Sequence, residues 1–240
     1  MSLIYAHRGA SGYAPENTLE AFRLSMEMGA DGFELDVHMS LDGELVVIHD
    51  ESVDRTTDGT GLVRDLTLAQ LKALDASCGM EAYRGAKIPT LGEVFDLVKD
   101  TRHIVNVEVK TDDWFYPGIE EKCLALAAKM GVEDRCVYSS FNHHTLKTLR
   151  RLKPDAKLGM LFGDIMVEPW IYAQPLNVDY LHPMKMNIYV PGFPEGAAAA
   201  GFGVNMWTIN DEQTMAKCLE TGAGIITNYP DVALKLRSGK

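Results

Sequence analysis

The sequence is short of several things, and each shortage narrows what the chain can be. Its four cysteines, Cys78, Cys123, Cys136 and Cys218, are scattered and form no Cys-x-x-Cys pair. Neither a disulfide-stapled scaffold nor a zinc ribbon is indicated, and the thiols are expected to stay reduced. No apolar run approaches the roughly 18 residues a membrane span needs. Met1-Ser2-Leu3 leads straight into a strand-like segment, without a basic leader or a cleavage pattern. A cytoplasmic chain with no stable membrane anchor is the expectation. Basic residues are scarce too: 23 Lys plus Arg face 34 Asp plus Glu, a formal charge of −11. Without a basic surface to displace counterions from phosphates, nucleic acid is not expected as a partner. A small anionic substrate remains open, because a local site can oppose the sign of the whole. No linker or low-complexity stretch divides the sequence.

What is present is regular. With 240 residues and 46% apolar side chains, the chain can bury a large core and is expected to form one domain over 1–240. Strand-like runs start at Ile4, Phe33, Ile104, Cys136, Leu158, Tyr180, Val204 and Ile225, each followed by a helical pattern. Eight βα units of this size predict a (β/α)8 TIM barrel, with a doubly wound open sheet as the alternative. In the first unit Asn17 stands at the expected N-cap, with Leu19, Phe22 and Met26 on one helical face and Gly29 as the stop. One spacing is anomalous, since 71 residues separate Phe33 from Ile104. The run at 45–48 follows Val37 too closely for a parallel crossover, and Asp42-Gly43 lies between them. It therefore reads as the return strand of a hairpin on the second barrel strand. The rest is an insertion, approximately 38–89 in all, in which Thr67 with Gln70 and Thr90 with Glu93 have capping-box spacing.

Polar residues inside strand patterns carry the chemistry. In Phe33-Glu34-Leu35-Asp36-Val37 and Val105-Asn106-Val107-Glu108-Val109-Lys110, apolar and polar residues alternate. A barrel strand covered by helices must turn its polar face inward, which directs Glu34, Asp36 and Glu108 into one interior. Three such carboxylates repel one another unless a cation lies between them, and all-oxygen ligands select Mg2+ or Ca2+ over softer ions. Pairing with Lys or Arg is the competing explanation. His7 ends the first strand and His49 ends the hairpin strand. Both would sit on the rim where barrel active sites form, and their ordinary pKa suits acid–base work. Arg8 and Lys110 are candidates for an anionic group, and a salt bridge to Glu108 or Glu34 is the plainer role for Lys110. Trp207, at the end of the Val204 strand, is a candidate pocket wall, with a plain core tryptophan as the alternative. His38 shares the parity of Glu34 and Asp36, which would let it support those acids, but it is expected on the hairpin surface. The glycines after the first strand form no nucleotide-binding fingerprint.

At this point the motifs are recognisable. His7-Arg8-Gly9-Ala10, Pro15-Glu16-Asn17-Thr18, Glu34-x-Asp36-Val37, Asp42-Gly43, His49-Asp50, Glu108-x-Lys110, Ser140-Phe141 and Trp207-Thr208 together resemble the glycerophosphodiester phosphodiesterase family, in its short cytoplasmic bacterial form. The resemblance implies a TIM barrel with a small insertion after the second strand. It implies a divalent metal on Glu34, Asp36 and Glu108, His7 and His49 as the acid–base pair, and Arg8 and Lys110 near the phosphate. Ser40 and Asn228 depart from the family's usual Thr and Asp. The implied reaction turns a small glycerophosphodiester into sn-glycerol 3-phosphate and an alcohol. A lysophospholipase D, with an apolar groove from Met160-Leu161-Phe162 and Met184-x-Met186, and a non-catalytic phosphodiester-binding module are the rivals.

Overall fold

A computed structural model describes residues 2–239. Eight parallel strands close into a barrel: β1 (Ile4–His7), β2 (Gly32–Met39), β4 (Ile104–Val109), β5 (Cys136–Ser140), β6 (Lys157–Phe162), β7 (Tyr180–Pro183), β8 (Gly203–Met206) and β9 (Gly224–Thr227). β1 pairs with both β2 and β9, which shuts the ring and excludes the open sheet. Each connection between consecutive barrel strands carries a helix: α1 (Leu19–Glu27), α3 (Leu91–Val98), preceded in the same connection by the short α2 (Leu68–Ala73), α4 (Ile119–Met130), α5 (His143–Leu152), α6 (Pro169–Ala173), α7 (Phe193–Ala199) and α8 (Glu212–Thr221). α9 (Pro230–Ser238) follows the last strand. Among the described residues no helix is long and apolar enough to cross a membrane, and the four cysteines are free.

The alternation read from the sequence is what builds the barrel. Phe33, Leu35 and Val37, with Val105, Val107 and Val109, point outward into the main core under the helices. Phe33 stacks on Phe22 of α1 with ring centroids 4.5 Å apart. The same parity leaves Glu34, Asp36, Asn106 and Glu108 to the interior, where all four are buried.

β3 (Leu45–Val47) runs antiparallel to β2, pairing Val37 with Val47 and Met39 with Leu45. The hairpin forms because β2 outruns its neighbour: β1 pairs only as far as His7 opposite Glu34, and the free edge beyond it takes β3. Leu45 and Val47 join the main core, whereas Val46 and Ile48 face the other way. With Val53, Val63, Leu71, Ala76 and Ile88 they make a second, smaller core, so the insertion is packed from within. Both capping boxes are present, at Thr67–Gln70 on α2 (Leu68–Ala73) and Thr90–Glu93 on α3.

Two local expectations fail. Thr18, not Asn17, caps α1 by accepting a bond from the Ala21 N–H. His38 is fully buried, not on the hairpin surface: its Nε2 lies 3.0 Å from the His49 carbonyl and its Nδ1 3.2 Å from the Tyr116 hydroxyl. Asn17 and His38 both turn toward the barrel mouth because tertiary partners there outbid local preference.

Deeper in the barrel His182 is 1% exposed, accepts a bond from Asn205 Nδ2 at 3.0 Å, and leaves Nδ1 without a partner. Burial lowers its pKa from 6.5 to about 3. The folded state therefore keeps this ring neutral below pH 6.5 while the unfolded chain protonates it. Its contribution to stability is intact above pH 6.5 and falls by ~1.4 kcal/mol per pH unit on acidification toward that lowered value. His182→Gln is expected to remove this slope. Urea unfolding from pH 6.5 to 4.5 measures it, and an unchanged difference between the two proteins across that range would refute the assignment.

Candidate active site

The C-terminal ends of the strands carry the polar cluster, as the architecture requires. β1 ends at His7, and the chain turns through Arg8 (φ 57°) and Gly9 (φ 80°). A Cβ at Gly9 would stand 2.6 Å from the Ala21 carbonyl carbon, so the close approach to α1 demands glycine. This turn aims the Arg8 backbone N–H at Glu34 Oε2, 3.0 Å away. The Arg8 guanidinium reaches Glu16 Oε1 at 2.8 Å and approaches Asp36 Oδ2 at 3.5 Å.

Oxygen atoms of Glu34, Asp36 and Glu108 all lie within 4.8 Å of one another, on three buried side chains. Burial, then repulsion from Asp36 and Glu108, pushes the Glu34 pKa well above 4.5. Burial also raises Glu108, against the pull of Lys110. Burial would raise Asp36 as well, but Arg8, His49 and Lys110 hold it below its ordinary value. Glu34 Oε1 and Asp36 Oδ1 are buried without a hydrogen-bond partner. Two orphaned carboxylate oxygens facing a third carboxylate fit a hard divalent cation, which satisfies acceptors that no N–H reaches.

His7, Arg8, Glu34, His49, Asn106, Glu108, Phe141, Leu161, Trp207, Thr208 and Ile226 line one cavity of about 80 Å³. The predicted histidines thus share a chamber with Arg8, two of the three acids and Trp207. Asp36 and Lys110 stand behind that lining. Lys110 Nζ donates to Glu108 Oε1 at 2.9 Å, and Glu108 with Asp36 holds its ammonium above the usual range despite burial. The plain salt-bridge role for Lys110 is therefore realised. A roomier hollow of about 390 Å³ at the hairpin turn is lined by Glu44, Lys122 and Lys129 but holds no histidine or acid cluster. Volume alone does not pick out the chemistry here.

The two histidines are backed differently. His7 Nδ1 lies 2.7 Å from the amide oxygen of Asn228, which accepts its proton. Burial, then the neighbouring Arg8 charge, lowers His7 to about 4. His49 Nδ1 lies 2.6 Å from Asp50 Oδ1, a carboxylate. In each ring the bonded Nδ1 leaves Nε2 as the free nitrogen. Trp207 is fixed by donating Nε1–H to the His182 carbonyl at 2.7 Å and by an edge-to-face contact with Phe141 at 5.3 Å.

Several residues around this cluster escaped sequence reasoning. Asn17 donates Nδ2–H to Asp36 Oδ2 at 2.8 Å, orienting a predicted ligand from a loop 19 positions away. His38 holds the His49 backbone from behind. Its parity with Glu34 and Asp36 was the available signal. Asp50 and Glu16 sit inside the quoted motifs but carried no assigned role. Met160 and Phe162 turn into the main core and only Leu161 meets the cavity, so that strand does not supply an apolar groove.

Comparison with known proteins is consistent along the whole chain. The model of the glycerophosphoryl diester phosphodiesterase family matches residues 7–232. A glycerophosphodiester phosphodiesterase of Caldanaerobacter subterraneus subsp. tengcongensis is 44% identical over 237 residues, covering 98% of this chain and 97% of that protein. The glycerophosphodiester phosphodiesterase of Agrobacterium tumefaciens superposes with a TM-score of 0.85 at 30% identity, covering 97% of this chain and 99% of its own. An Oleispira antarctica phosphodiesterase, solved with its product sn-glycerol-3-phosphate, superposes with a TM-score of 0.87 at 31% identity over 99% of this chain and 97% of its own. Matched in sequence and in fold over nearly its full length, the chain belongs to the glycerophosphoryl diester phosphodiesterase family, enzymes that hydrolyse glycerophosphodiesters.

Proposed function

We propose that the chain acts as one unit that hydrolyses diesters of small polar alcohols, such as glycerophosphocholine and glycerophosphoethanolamine, to sn-glycerol 3-phosphate and the alcohol. Glu34, Asp36 and Glu108 would hold one Mg2+ or Ca2+. The observation that carries this reading is the single cavity lined by both histidines, Arg8 and two of the three clustered carboxylates. A divalent ion there supplies positive charge where the phosphoryl oxygens gather negative charge in the transition state.

The chain's own groups account for the rest. His7 is backed by a neutral amide and sits beside the Arg8 cation, so it suits the unprotonated form; it takes the proton of the attacking hydroxyl through Nε2 as the new P–O bond forms. His49 is backed by the Asp50 carboxylate, which engages Nδ1 and orients the ring; it delivers a proton from Nε2 to the alkoxide oxygen as the old P–O bond breaks. Arg8 offers fixed positive charge at the same wall, Lys110 balances Glu108 behind it, and Trp207 with Phe141 limits the mouth. With a divalent ion held by the three acids, an acidic chain would thereby present a locally cationic surface to an anionic diester.

A panel of diesters assayed after chelation and metal restoration tests the reading. Activity is expected to return with Mg2+ or Ca2+; return with zinc alone contradicts the oxygen-ligand site. The small cavity, with only Phe141, Leu161, Trp207 and Ile226 as large apolar lining, predicts that glycerophosphocholine is turned over faster than lysophosphatidylcholine. The reverse order would favour a lysophospholipase D.

A further inference from the structure

The insertion has its own core, and one side chain leaves it to cross the barrel mouth. Arg55 donates Nε–H to Asp50 Oδ2 at 2.7 Å and an Nη2–H to Asp50 Oδ1 at 2.9 Å. The same guanidinium donates to Glu16 through Nη1 and Nη2, both at 2.8 Å. One residue thus makes two forked pairs, one to the neighbour of His49 and one to the loop after β1. Glu16 in turn holds Arg8, so a continuous chain of contacts runs from His49 through Asp50, Arg55 and Glu16 to Arg8.

The base of Arg55 is held as firmly as its head. Val53 is fully buried in the second core, its N–H donates to the Gly61 carbonyl at 3.0 Å, and Val63 N–H donates to the Glu51 carbonyl at 2.8 Å. The loop that carries Arg55 is therefore closed at its root by backbone bonds and by apolar packing. Asp50, by contrast, is partly exposed and carries its carboxylate on a short rotatable stem. Left to itself it could turn to water and release His49 Nδ1.

The geometry points to Arg55 as a positioning residue for the reaction: by clamping Asp50 against Glu16 it fixes the His49 ring with Nε2 toward the cavity, and so makes the insertion part of the catalytic apparatus. This rests on the reading of His49 as the proton donor to the leaving alkoxide. Lysine can replace it only in part, since a single ammonium lacks the planar fork that engages two carboxylates at once.

The test uses the intact, metal-loaded enzyme and two substrates. Glycerophosphocholine has a leaving alkoxide that needs a proton, whereas the p-nitrophenyl ester of glycerol 3-phosphate releases a phenolate that does not. Arg55→Gln is expected to lower kcat on the choline ester by about 10- to 100-fold, the scale of losing an orienting partner, with little loss on the nitrophenyl ester. Arg55→Lys should show the same selectivity in milder form, and it supplies the readout if Arg55→Gln folds poorly. His49→Ala should show it most strongly. Equal losses on both esters, or no loss on either, in the Arg55 variants would overturn the clamp while leaving a selective His49→Ala effect standing. Absence of selectivity in His49→Ala itself would overturn the proton-donor reading and the clamp with it.

Discussion

Turnover of glycerophosphocholine by His49→Ala is expected to fall by about a hundred- to ten-thousand-fold, the range associated with losing a positioned acid or base. Affinity for Mg2+ or Ca2+ should change little. The two expectations separate because His49 lines the cavity without belonging to the acid triad, and its ring nitrogen is committed to Asp50. Removing the ring leaves Asp50 still paired with Arg55, so the rim should not collapse. Steady-state kcat together with the metal-induced rise in melting temperature reads both quantities on one sample. Wild-type turnover by the variant would end the assignment of His49 as an acid.

Glu34→Gln should behave in the opposite way and lose both. Glutamine keeps the shape and can still accept the Arg8 N–H, but it removes one of the three clustered carboxylates.

 The triad's oxygens converge within 4.8 Å, and Glu34 supplies one of the two that are orphaned. A protein at about 100 times its Kd in metal gains ~2.7 kcal/mol, or roughly 5–10 °C in melting temperature for a chain of this size. That shift should appear in the wild type and vanish in Glu34→Gln. Activity should drop by at least about a hundred- to a thousand-fold, the scale of losing a charge-stabilising group at a reacting centre. Metal-free Glu34→Gln should be no less stable than the wild type, because the carboxylate it loses is buried and repelled by Asp36 and Glu108. An undiminished metal-induced shift in the variant would remove Glu34 from the ligand set.

Much of this was legible in the chain because alternation is a local property. Glu34, Asp36 and Glu108 share a parity with each other and oppose Phe33, Leu35, Val107 and Val109, and in a helix-covered barrel that parity has one solution. The hairpin was legible for a similar reason: too few residues separate Val37 from Leu45 for a crossover, and Asp42-Gly43 marks the turn. Asn17 was misread because its identity suits an N-cap, while its actual partner, Asp36, is reached only when α1 packs beside β2. His38 was misread because a hairpin of unknown neighbours looks exposed; the insertion and Tyr116 cover it.

The sequence by itself determined the barrel, the hairpin and the inward acids, since each follows from periodicity and spacing along a few residues. Only the tertiary structure decided how those groups are held. The Asn228 amide behind His7 and Arg55 crossing from the insertion to Glu16 join residues distant in the chain, and Asp50, although next to His49 in sequence, is held behind its ring by Arg55. Hydrogen bonds of that kind depend on distance and angle in space, and no periodicity records them.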